Sequence, residues 1–180
     1  MNQGGSLTDR IVGVLRLVPA TYREIARDTT ATTQALAVVA LAAVAGAIGS
    51  SGDGLKGIIG GAIGAVISWI IFGVATWFVG TRFLGAADIG GGPGRTLRTT
   101  GFAKAPQFLL ILGFIPVLGA IAVLVAWIWN LITSVLAVRE ALGMTTARAI
   151  ITLVVAAVLL GIVGFILALF GIAIFGIAAS

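Results

Sequence analysis

The chain has no cysteine and no histidine. Those absences remove disulfides, iron–sulfur clusters, histidine-ligated haem and the usual zinc sites, because the ligands do not exist. They also exclude Ser-His-Asp and Cys-His nucleophile systems. Charge is scarce too, at 9% of 180 residues, and is missing altogether from the runs 29–52, 57–81, 105–138 and 149–180. Ionisable side chains inside a bilayer usually mark ion paths, proton relays or catalytic groups. These runs therefore point away from an enzyme, and no catalytic, cofactor-binding or metal-ligating residue is assigned.

What is present is apolar. Hydrophobic residues make up 59% of the chain, with 26 glycines and a mean hydropathy of +1.19. Each uncharged run exceeds the roughly 20 helical residues that cross a bilayer core of about 30 Å, so the sequence reads as an all-α polytopic membrane protein. The net charge of +5 comes from dispersed basic residues, not from a dense patch interleaved with aromatics. That pattern argues against nucleic acid and makes the lipid bilayer the first partner.

Residues 1–30 read as a cytoplasmic amphipathic segment. Leu7, Ile11, Val14, Val18, Tyr22 and Ile25 recur at spacings of three and four, Ser6 and Asp9 resemble a capping box, and Pro19 should break or restart the helix. The segment is expected to lie flat on the membrane, or otherwise to pack on the ends of the other helices. No cleavable leader is expected, since residues 1–10 are polar and glycine-rich.

Residues 31–180 read as a five-helix transmembrane bundle at about 31–48, 57–81, 99–115, 117–138 and 149–172. The run 105–138 as one straight helix at 1.5 Å per residue would be about 50 Å long, too long for an untilted crossing. Pro116, inside Gly113–Gly119, supplies the break, and Lys104 is expected to snorkel to the interface. A re-entrant segment or a single kinked helix is the alternative for the short third element. With five crossings, Lys56 alone lies on one side and all other basic residues on the opposite side. This places the N-terminus in the cytoplasm and the C-terminus outside.

Small residues recur at helix-packing intervals: Ala35, Ala42, Ala45 and Gly49; Gly57, Gly61, Gly64 and Ser68; Ala157, Gly161, Gly164, Ala168 and Gly171. Such seams let backbones approach where lipid offers no hydrophobic drive, within one chain or between protomers. Gly90–Arg95 lacks the lysine and hydroxyl residue of a phosphate-binding loop and reads as a flexible connection. Thr96, Arg98, Thr99 and Thr100 suit either lipid phosphates or a simple topology signal. Asn130, near mid-membrane with Trp127, Trp129, Thr133 and Ser134, needs a hydrogen bond there, structural or to a substrate.

The run Arg98-Thr99-Thr100-Gly101-Phe102-Ala103-Lys104-Ala105-Pro106, then Ile115-Pro116-Val117-Leu118-Gly119 and Trp127 to Glu140, resembles the core of the YIP family of Ypt-interacting membrane proteins. The upstream stretch Pro19 to Ala26 is similar to the lead-in of its bacterial members, so the resemblance covers about 160 residues. It implies a cytoplasmic N-terminus, five transmembrane helices and no known enzymatic activity. Gly101, Phe102, Pro106, Pro116 and Gly119 stand as the motif and hinge positions. Eukaryotic members partner Rab GTPases, but their Asp-Leu-Tyr-Gly-Pro motif is absent here, so a small GTPase is not the expected partner. The expectation is a bacterial inner-membrane protein that organises or shapes the membrane by packing with other membrane proteins or with itself. A small transporter or channel subunit, with its helix broken at Pro116, is the alternative.

Overall fold

A computed structural model describes residues 5–50, 54–86 and 91–178, with side-chain surroundings as far as Ile166 and at Ala168. The polar turn at 51–53, Gly90, and the surroundings of Gly171 lie outside the described residues. Among the described residues there are helices and no strands. In order they are α1 (Leu7–Leu15), α2 (Pro19–Arg27), α3 (Ala31–Ser50), α4 (Gly54–Arg82), α5 (Gly92–Phe102), a 3-10 helix (Ala105–Phe114), α6 (Leu118–Leu142) and α7 (Thr146–Ala178).

The first two helices form a hairpin. Ser6 caps α1 by accepting the Asp9 N–H at 3.1 Å, Leu17 turns the chain with φ 58°, and Pro19 opens α2, where its missing N–H is not needed. Val14, Tyr22 and Ile25 are fully buried with Ala35, Phe102 and Ala137. The start of the chain therefore packs on α3, α5 and α6 and does not lie flat on a membrane by itself. Its buried face is satisfied by protein.

Four segments are long and apolar enough to cross a bilayer: Ala31–Ser50, Gly54–Arg82, Leu118–Leu142 and Thr146–Ile166. Their outward faces present Leu55, Ile59, Ile63, Leu124, Trp127 and Val158, all more than half exposed. An apolar surface of that extent belongs in lipid.

The bundle has two distinct ends. At the near end, α1 and α2 gather with the C-terminal ends of α4 and α6, the start of α7, and α5. At the far end the chain passes from α3 to α4 and from the 3-10 helix to α6. The 3-10 helix joins the two ends and is wedged between α3 and α6, with which it makes the most extensive contacts in the fold.

Sequence reasoning places one helix over 99–115; the structure divides it. Pro106 has no N–H, and its ring opposes the carbonyl four residues back, that of Phe102. Phe102 is the last residue of α5. The chain re-forms as a 3-10 helix, whose rise of about 2.0 Å per residue carries its ten residues about 20 Å. An α-helix of equal length would cover about 15 Å.

Close packing at the far end depends on three glycines. A β-carbon on Gly49 would overlap the carbonyl oxygen of Leu110, one on Gly113 would stand 2.8 Å from the Gly49 oxygen, and one on Gly119 2.5 Å from the Gly113 oxygen. Three backbones thus touch with no side chain between them. Next to this stack, Val117 caps α6 with φ 64° while 77% exposed. A left-handed conformation is costly for a β-branched residue. Val117→Gly is expected to stabilise the protein by about 1 kcal/mol, read as a higher unfolding midpoint in mild detergent. An unchanged or lower midpoint would show that no strain is stored there.

Candidate functional site

α5 is short and polar, and it organises the near end. Gly91, at φ 89°, starts it in the left-handed region open to glycine, and Pro93 lies in its first turn. Its side chains then serve the ends of other helices. Arg98, buried, donates from Nη2 to the Ala26 carbonyl at 2.6 Å and from Nε to that of Ile25 at 3.3 Å, closing the C-terminus of α2. Arg95 donates to the Ala141 carbonyl at 3.2 Å, closing α6. Unpaired carbonyls and the negative end of the helix dipole both favour a cation there. Burial, followed by the charge of Arg95, presses the Arg98 guanidinium below its ordinary pKa, with Asp28 opposing.

Other donors repeat the pattern. Thr133 on α6 donates to the Ala103 carbonyl at 2.9 Å, where the break before Pro106 leaves an acceptor unpaired by the helix. Trp129 donates from Nε1 to the Leu15 carbonyl at 3.1 Å, at the end of α1, and Trp69 donates to Leu97 at 3.0 Å. Arg10, 1% exposed, bonds Glu24, Asp28 and Gln34, tying α1 to α2 and α3. Burial works against its charge, but the bonds to Glu24 and Asp28 outweigh this and raise its pKa. The Thr96, Arg98, Thr99 and Thr100 cluster is buried, with Thr100 bordering an internal cavity.

The motif residues fall in two places. Gly101 and Phe102 are buried where α5 crosses α3; a β-carbon on Gly101 would come within 2.8 Å of that of Ala35. Pro106 is buried at the start of the 3-10 helix, whereas Pro116 is exposed at the far end beside buried Gly119. Asn130 is half-buried, and its Oδ1 is enclosed without a hydrogen-bond partner. Thr133, one turn on, makes the interhelical bond instead.

The seams divide in the same manner. Ala35, Ala42, Ala45 and Gly49 on α3 are all buried. Gly57 is half-buried, but Gly61 and Gly64 on α4 and Gly161 and Gly164 on α7 have no atom within 4 Å of where a β-carbon would stand, and Ala168 is exposed. Packing along α4 and α7 within this chain is made elsewhere, with Gly73 against Leu97 and Gly80 against Leu142.

A cavity of about 560 Å³ opens between α4 and α7, backed by α3, α6 and the 3-10 helix. Val39, Trp69, Phe72 and Val163 give it apolar walls, and Ser68, Thr100, Lys104, Gln107 and Ser134 line it with polar groups. Lys104 is thus turned inward to the middle stretches of α3 and α4, not outward to the interface. The charge-free runs suggest a core without ionisable groups, but folding brings in the residue that borders one of them. The sequence around Lys104 carries no sign of this placement, because the residues of α3, α4, α6 and α7 that line the same cavity are distant from it in sequence.

Among the described residues, no cluster of three or more metal-ligating acidic, cysteine or histidine side chains is present. A family model described as Yip1 domain matches residues 12–168. No curated protein and no solved structure matches the chain.

Proposed function

The chain belongs to the Yip1 domain family, and from that premise we propose that it is a non-enzymatic membrane protein that organises or shapes the bilayer by packing against membrane partners or further copies of itself. The observation that carries this reading is the pair of vacant glycine seams. Gly61 and Gly64 on α4 and Gly161 on α7 leave open space on exposed surfaces, and Gly164 leaves it at the mouth of the cavity. In lipid, helix association gains from close backbone approach at small residues. These seams are suited to a helix that this chain does not itself supply.

The same reading counts five crossings, with the 3-10 helix as the third, and a bacterial plasma membrane as the location. Lys56 stands at the far end, while Arg10, Arg16, Arg23, Arg27, Arg95, Arg139 and Arg148 belong to elements at the near end. A positive-inside bias then makes the near end cytoplasmic and the C-terminus external.

The test is the double variant Gly61→Leu/Gly64→Leu and, separately, Gly161→Leu. Each new side chain enters open space, so the unfolding midpoint is expected to hold within about 0.5 kcal/mol of wild type. Self-association or partner recovery in mild detergent should fall about tenfold, a loss near 1.4 kcal/mol. Undiminished association in both variants would sink the packing role.

A further inference from the structure

Lys104 is a cation without an anion. Among the described residues its ammonium makes no ion pair, the four salt bridges being those of Arg10, Arg23 and Arg139. It shares the cavity between α4 and α7 with Gln107, Ser68 and Ser134, none of whose side chains hydrogen-bonds another described residue. Four polar side chains with unused donors therefore converge in a space otherwise walled by Phe72 and Val163. Leaving a charge unpaired inside a membrane domain is costly, and such residues ordinarily face a partner or a water-filled cavity.

From this we infer that the cavity is a binding site for an anionic amphiphile drawn from the bilayer, its phosphate or carboxylate head held by Lys104 and its acyl chain lying along the apolar walls. Three features select that occupant. The head must be anionic to complement the ammonium, and the neighbouring amide and hydroxyls supply further donors to its oxygens. Entry is lateral, since Ser68 on α4 and Gly164 on α7 line the cavity and are themselves exposed on the lipid-facing side. A volume of about 560 Å³ accepts a headgroup with part of its chain, too much for a bare inorganic ion. The inference rests on the membrane embedding of the protein but not on its association with partners.

The test is native mass spectrometry of the full chain in mild detergent, titrated separately with phosphatidylglycerol, palmitate and phosphatidylcholine. Wild type is expected to retain phosphatidylglycerol or palmitate about tenfold better than phosphatidylcholine, and the better of the two anions identifies the source of the head. Lys104→Gln should abolish the preference. Ser68→Phe, which fills the cavity from its lipid side, should lower retention of every amphiphile, and Lys56→Gln, at the far end, should change nothing. Helical content by circular dichroism separates loss of binding from loss of fold. Equal retention of charged and neutral lipids, or an unaltered preference in a folded Lys104→Gln protein, overturns the site. Because the seam variants leave Lys104 in place, failure here and failure of the packing role are read by different proteins.

Discussion

Gly49→Val is expected to cost about 3 kcal/mol or more, enough to prevent the far end from assembling. The reason is that its β-carbon would meet backbone, the carbonyl oxygen of Leu110, and not the yielding end of a side chain. Relief would require the 3-10 helix to move off α3, and that helix is held on its other side where Gly113 and Gly119 meet. The strain therefore spreads to α6. Chemical unfolding in detergent, or a thermal-shift series, reads the effect. Gly61→Val is the matched control, because the same β-carbon there meets nothing within 4 Å. Equal losses in the two variants would mean that intrinsic helix propensity, and not contact, governs both.

The second large effect belongs to Arg10→Met. It removes the bonds to Glu24, Asp28 and Gln34 in one step and leaves Glu24 and Asp28 without their cation. Their side chains are 39% and 21% exposed, so water restores part of the loss. A net cost of about 2 kcal/mol follows, below the 3–5 typical of a fully buried broken pair. Acid should produce a related change. Hydrogen bonds from Thr30 and then Arg10 hold the Asp28 carboxyl down to about 2, from an ordinary 3.8. A carboxylate depressed by folding stabilises fully above its unfolded pKa and loses that contribution as pH falls through the folded one. The unfolding midpoint should therefore decline between about pH 4 and pH 2, and Asp28→Asn should flatten the decline. An identical acid profile in the variant would remove Asp28 from the account.

Legibility from sequence varied by element. The uncharged runs report helices of membrane length, because length and apolarity are local properties. The α3 seam of Ala35, Ala42, Ala45 and Gly49 carried its own periodicity and is buried. The same kind of seam on α4 and α7 is not, since spacing shows that a face can pack but not what it packs against. Pro116 is legible as the break in the longest run, and Pro106 as a motif position, but the end of α5 at Phe102 and the 3-10 form of the segment after it are not, because Pro106 sits at the edge of that run where no interrupted helix is evident. The inward position of Lys104 is likewise set by residues distant in sequence. Arg95 and Arg98 were legible as basic residues but not as caps, because their acceptors, Ala141, Ile25 and Ala26, lie far away in sequence. Asn130 is the most polar side chain of its run, but the bond is made by Thr133, because a hydroxyl one turn along reaches the carbonyl freed at Ala103.

The N-terminal hairpin has a temporal implication. Its seat is made from Ala35, Phe102 and Ala137, and the end of α2 waits for the guanidinium of Arg98. A ribosome delivers α1 and α2 before α5 and α6, which carry much of the surface that receives them. The hairpin is thus complete before its seat is, and a nascent chain stopped before α6 would lack Ala137 and hold α1 and α2 only against α3 and α5, more open to proteolysis.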